Sequence, residues 1–194
     1  QVLEGTPEEA YVHIPKILYH WRCHRNSTAS NPASKNYAYE AGRRALEDFG
    51  REHGWKVQAE DTRHLGFYRL EFMPDALSQR SDLGAVAGPL PSRNGRLVSG
   101  IYDESPDSTV TMRYDGLKRR FSGYMHRAVL TQDVEAADIR TMQVRPEFRK
   151  DLDLALQEIR AGADPVRTSI AFCLTLRKRG FRILWDPDRK EGIH

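Results

Sequence analysis

Apolar and polar positions alternate in a way that puts short strands around one long helix in the first half, then two helices and a buried strand in the second. Ile14, Ile17, Leu18 and Tyr19 are apolar and β-favouring, and predict a strand over residues 11–21, with Pro15 marking an edge or bulge. Residues 26–33 read as a loop. Ser34 can cap a helix that runs to about His53, because Tyr37, Ala41, Ala45 and Phe49 recur every four residues with Leu46 beside them. Gly54 ends it. Residues 55–59 and 66–72 predict two strands around a polar turn, and residues 73–80 a helical turn or two.

Residues 83–88 form a short run of small apolar residues, read as a strand. Asn94-Gly95, between Leu90 and Leu97-Val98, is a hairpin signal. Residues 102–118 are rich in Asp, Ser, Gly and Pro without apolar periodicity and read as a surface loop. Residues 121–130 stay ambiguous, and residues 134–144 contain a strand. Phe148, Leu152, Ala155, Leu156 and Ile159 fall at helical spacing over residues 146–159. Asp164 and Pro165 open a second helix that Gly180 closes, and residues 181–185 are a strand halted by Asp186-Pro187. The expected fold class is α/β, an incomplete mixed sheet flanked by helices.

Composition narrows the class. The chain has 194 residues, 39% of them hydrophobic and 29% charged, which suits a globular chain with a real core. Thirty basic against 27 acidic residues give a net charge of +3, too small an excess to point to nucleic acid by itself. No run reaches the roughly 18 apolar residues of a membrane span, and no export signal is read, so a cytoplasmic setting is expected. Cys23 and Cys173 form no C-x-x-C pair, and whether they join stays open.

The densest chemistry follows the first predicted strand. His20, Trp21, Arg22, Cys23, His24 and Arg25 precede Asn26-Ser27-Thr28. A His, an Arg and hydroxyls at the C-terminal end of a strand can meet an anion in the crevice of an α/β sheet. The bland alternative is a core-plugging Trp21 and a solvated loop.

IPKILYHWRCHRNSTA followed by KNYAYEAGRRAL resembles the C-terminal end of a family-two glycosyltransferase domain of the bacterial polysaccharide type, which has a GT-A fold. LGAVAGPLPSRNGRLVSGI, VEAADIRTMQVRPEF and AFCLTLRKRGFRILWDP, then His194, resemble the acceptor-side half of such a domain. The resemblance implies two segments. Residues 1–75 are like the tail of one domain with a closing helix and a strand pair, and residues 76–194 are like the rear half of another. It implies a nucleotide-sugar donor and a glycan acceptor in surface polysaccharide synthesis, and a Mn²⁺ or Mg²⁺ ion. His20, Trp21 and Arg22 become candidate substrate-binding groups, with Arg22 on the diphosphate. His20 and His194 become candidate metal ligands.

Two departures from the family bear on activity. Its nucleotide-binding front half, with an Asp-x-Asp for the metal, is not found; Asp186-Pro187-Asp188 follows the wrong strand and contains a Pro. The acidic pair before F-C-L, one of which acts as general base, is replaced by Ser169 and Ala171. Asp164 is nearby, but its fit to a helix N-cap gives it another role. Independent turnover is therefore doubtful, and catalytic residues stay unassigned.

Three readings remain. One is an inverting glycosyltransferase or a fragment of one. Another is a non-catalytic module of that type, whose uncovered apolar surface would favour a protein partner or a second copy. The third is nucleic-acid binding through Lys118-Arg119-Arg120 with Phe121, Tyr124 and His126, a short signal that a solvated loop explains better.

Overall fold

The computed structural model describes residues 6–12, 14–20, 36–118 and 121–189. Helix α1, Asn36–Glu52, ends where Gly54 takes a left-handed φ of 71°. Its inner face differs from the row of four-residue repeats. Tyr37, Ala41 and Ala45 are exposed, whereas Tyr39, Gly42, Leu46, Phe49 and Gly50 turn inward. Gly42 and Gly50 complete the stripe of Tyr39, Leu46 and Phe49, so a row counted without glycines rotates the face.

That stripe packs on an antiparallel hairpin of β1, Val57–Asp61, and β2, Tyr68–Phe72. A Cβ on Gly42 would lie 2.8 Å from the Tyr68 hydroxyl, so the absence of a side chain sets this approach. The Tyr68 hydroxyl donates to the Tyr39 carbonyl at 2.6 Å, and Glu47 Oε1 accepts from the Ala59 N–H at 3.2 Å.

A single turn, α2 (Ala76–Gln79), capped by Asp75, leads into β3, Leu83–Ala87, every residue of which is buried. Next come the hairpin β4 (Leu90–Arg93) and β5 (Arg96–Val98), turning through Asn94 and Gly95 with φ of 51° and 68°. Two successive positive φ values suit the Asn-Gly turn read in the sequence. Residues 102–118 are not all loop. Tyr102–Glu104 (β6) and Val110–Met112 (β7) pair antiparallel, and Arg113 grips Asp103 with two hydrogen bonds, that from Nε at 2.9 Å. Three-residue strands carry too little periodicity to read, although Tyr102, Val110 and Met112 pack on the main core and the Arg113–Asp103 pair adds to them.

The ambiguous stretch holds a 3₁₀ turn, Tyr124–Val129, in which Met125 and His126 have positive φ. Residues 134–144 give two short strands on either side of a turn: β8, Gln132–Val134, and β9, Gln143–Val144. Helix α3, Arg149–Arg160, and helix α4, Pro165–Lys178, follow, with Asp164 Oδ1 accepting from the Val166 N–H at 3.0 Å as the N-cap. The last of these elements is β10, Arg182–Trp185.

Four strands assemble in the order β8-β10-β3-β9, with β10 parallel to β3 and the outer pairs antiparallel. Two helices on one face of a mixed sheet, with separate two-stranded ribbons around it, make an α/β arrangement of small mixed sheets. Ala85, Ile183 and Trp185 meet Leu152, Leu156, Phe172 and Leu176 of α3 and α4. Leu83, Val86 and Leu184 cluster apart from that core, with Ala76 and Leu77 of α2. Among the described residues no helix is long and apolar enough to cross a membrane.

Candidate functional site

The strand expected over residues 11–21 is absent from its described part. Residues 14–20 are neither helix nor strand, and a turn from the Lys16 N–H to the Ile14 carbonyl at 2.8 Å bends them. A strand is stable only with a ladder partner, and this one has none among the described elements. His20 is exposed, as are Ile17 and Leu18 beside it. Trp21, Arg22 and His194 lie outside the described residues, as does Ser34, the expected helix cap.

A divalent ion needs several oxygen or imidazole ligands converging on one point. Among the described residues no three His, Cys, Asp or Glu side chains are so grouped, and exposed His20 does not supply such a set.

Ser169 and Ala171, the two positions singled out by the resemblance, are both described. Ser169 is buried, its hydroxyl donating to the Pro165 carbonyl at 2.6 Å and accepting from the Ile139 N–H at 3.2 Å. Both hydroxyl functions are spent on backbone, joining α4 to the turn over residues 138–141. Ala171 is exposed and has no ionisable group.

That turn contains the one carboxylate among the described residues with no exposed surface. Asp138 Oδ2 accepts from the Tyr102 hydroxyl at 2.6 Å and from Arg140 Nη2 at 2.7 Å, while Oδ1 accepts from Arg140 Nε at 2.9 Å. Burial, then the hydrogen bond and charge of Asp138, push the Tyr102 phenol above the usual tyrosine range. Its lone pairs are filled by Arg140 and Tyr102, so Asp138 orders the turn and is closed to solvent.

A cleft of about 680 Å³ lies on the other side of the sheet. Phe49 of α1, Trp55, and Leu70 and Phe72 of β2 make its apolar wall, and Leu184 of β10 contributes from the sheet. Trp55 sits among rings, with centroids 5.8 Å from Phe49 and 5.9 Å from Phe72. The opposite rim is charged. Arg80, with 11% of its side chain exposed, donates to both oxygens of Asp82 (3.1 and 2.6 Å) and of Asp133 (3.0 and 3.3 Å), with its guanidinium carbon 5.4 Å from the centre of Trp55. Arg182 Nη1 adds a bond to Asp133 at 3.0 Å. Two carboxylates against two guanidiniums leave the rim balanced in charge.

None of these rim and wall residues stood out in the sequence as a site. Arg80 and Asp82 two positions apart carry a faint signal, but Asp133 is 53 residues from Arg80 and joins only through strand pairing.

No family model matches the chain, and no solved structure matches it. A stretch of 46 residues is 46% identical to part of "Uncharacterized protein y4gI" of Sinorhizobium fredii (strain NBRC 101917 / NGR234), covering 24% of this chain and 5% of that protein. The match therefore spans a small fraction of the relative's length, and its printed description names no activity.

Proposed function

We propose that this chain is a glycosyltransferase-like module of the GT-A type that binds within surface polysaccharide synthesis but does not itself transfer sugar. The resemblance in residues 11–46 and 83–194 supplies the family, and with it a nucleotide-sugar donor and a glycan acceptor as candidate ligands. Ser169 carries the non-catalytic part of the reading. A general base must have a free lone pair near the acceptor hydroxyl, and this hydroxyl is buried and spent on two backbone partners. Ala171 offers no substitute.

The test incubates the full chain with uridine-, guanosine- and deoxythymidine-diphosphate sugars and Mn²⁺ while following release of the nucleoside diphosphate. Release at the rate of a blank is expected. Release above it that survives Ser169→Ala would put an unrecognised base elsewhere and overturn the reading. Thermal shifts with the free diphosphates report on the donor site separately, since ligand at a hundred times its dissociation constant adds about 2.7 kcal/mol.

A protein-docking role is favoured by a different observation. Val12, Ile17, Leu18 and Tyr19 have 70–83% of their surface exposed, in one short stretch. Sedimentation at rising concentration checks whether a second copy covers them; a monomer throughout would remove self-association.

A further inference from the structure

The tip of the β1–β2 hairpin touches the 3₁₀ turn through two imidazoles. His64 and His126 stack with ring centroids 3.7 Å apart and planes 13° from parallel. Phe67 places its ring at right angles to His126, with centroids 4.6 Å apart. Each histidine is held by its own segment. Thr62 Oγ1 accepts from the His64 N–H at 3.1 Å, and the Phe67 N–H donates to the His64 carbonyl at 3.1 Å. Ser122 Oγ lies 2.7 Å from His126 Nδ1, and His126 stands in the left-handed region with φ of 56°. A non-glycine residue adopts that conformation only where its surroundings fix it.

Arg63 Nε donates to His64 Nε2 at 3.2 Å, so this nitrogen is an acceptor and the His64 ring is neutral. A proton on Nε2 would remove that bond and set an imidazolium against a guanidinium. Partial desolvation, then the charges of His126 from the turn and Arg63 from its own loop, hold the His64 ring below the usual histidine range. Arg127, beside His126, is exposed, and Asp61 at the end of β1 acts on Tyr68. One charged ring over a neutral one is tolerable; two charged rings at this separation repel.

We propose that the His64–His126 stack is an acid-opened latch, closing the hairpin tip onto the 121–130 segment at neutral pH and releasing it when both rings are charged. The base of the hairpin stays tied, because the Lys56 N–H donates to Gln79 Oε1 at 2.7 Å and Trp55 lies under Arg80. The tip leads into Tyr68, Leu70 and Phe72, and the turn leads into Thr131, Gln132 and Asp133, and these two groups line the same cleft. Releasing the latch therefore frees the tip end of the hairpin, where Tyr68 edges the cleft, while Leu70 and Phe72 stay with the tied base. The latch stands on contacts alone and does not depend on the glycosyltransferase reading.

Amide hydrogen exchange on the full chain, corrected for intrinsic rates, tests it at about pH 7.5 and about pH 5. Residues 61–68 and 122–130 are expected to exchange several-fold faster at the lower pH relative to α3 and α4. His64→Phe keeps a ring to stack on His126 but cannot charge, and should hold the tip closed at both values. Unchanged wild-type protection, or opening of His64→Phe at low pH to the wild-type extent, would overturn the latch. Ring-proton NMR of the wild type gives a readout that needs no variant. A His64 midpoint below 6.5 supports the latch, and one at or above 6.5 overturns it.

Discussion

Gly50 of α1 and Val57 of β1 approach so closely that a Cβ on Gly50 would lie 2.2 Å from Val57 Cγ2. The helix and the hairpin that walls the cleft meet at this point. A glycine costs a helix interior about 1 kcal/mol against alanine, so its presence in the last turn of α1 is explained by the contact. Gly50→Ala should therefore destabilise the chain by about 1–3 kcal/mol through overpacking, despite the gain in helix propensity. Urea midpoints measure this. Val57→Ala in the Gly50→Ala background should recover most of the loss, and a Gly50→Ala variant more stable than wild type would refute the packing argument.

Around Asp138 the most exposed partner should be the most costly to lose. Tyr102→Phe leaves the carboxylate with Arg140 and should cost about 0.5–1.5 kcal/mol. Asp138→Ala strands a buried phenol and removes the cap on the Arg140 N–H, about 3 kcal/mol together. Arg140→Ala leaves a fully buried charge without its cation and should cost roughly 3–5 kcal/mol, although Arg140 itself is 34% exposed. Denaturant titrations of the three variants check the order.

The rim of the cleft should be acid-sensitive. Burial alone would raise the Asp82 carboxyl, but the hydrogen bond and charge of Arg80 outweigh it and hold the group below the usual aspartate range. A depressed carboxyl stabilises the folded chain above its unfolded pKa of about 3.9, and that contribution is lost as pH falls through the folded value. Stability measured from about pH 5 downward should fall more steeply in the wild type than in Asp82→Asn.

Cys173 should resist thiol reagents. Burial pushes its thiol up to about 12, and its sulfur lies 3.5 Å from both the Ala137 N–H and carbonyl. Under native conditions at about pH 8 the peptide carrying Cys173 should stay unlabelled, and it should label fully in urea. Mass spectrometry distinguishes the two.

What was legible in the sequence was local. Asp164 and Pro165 announce α4 because a cap and a first-turn proline act within one turn, and Asn94-Gly95 announces its hairpin for the same reason. The inner face of α1 was not legible, since glycines at 42 and 50 do not look like core until the hairpin is laid on them. Residues 14–20 have strand composition but pair with none of the described strands, so composition misled. Of the expected site, exposed His20 is the described member. The cleft escaped notice because Arg80, Asp133 and Arg182 are brought together by the order of strands in the sheet.

That order also sets when the core can exist. β10 follows every other described strand along the chain, yet it lies between β8 and β3. Until Arg182–Trp185 leaves the ribosome, β3 has no parallel neighbour, although Ala76 and Leu77 of α2 can already cover Leu83 and Val86. One edge of β3 therefore stays unpaired while α3 and α4 are being made.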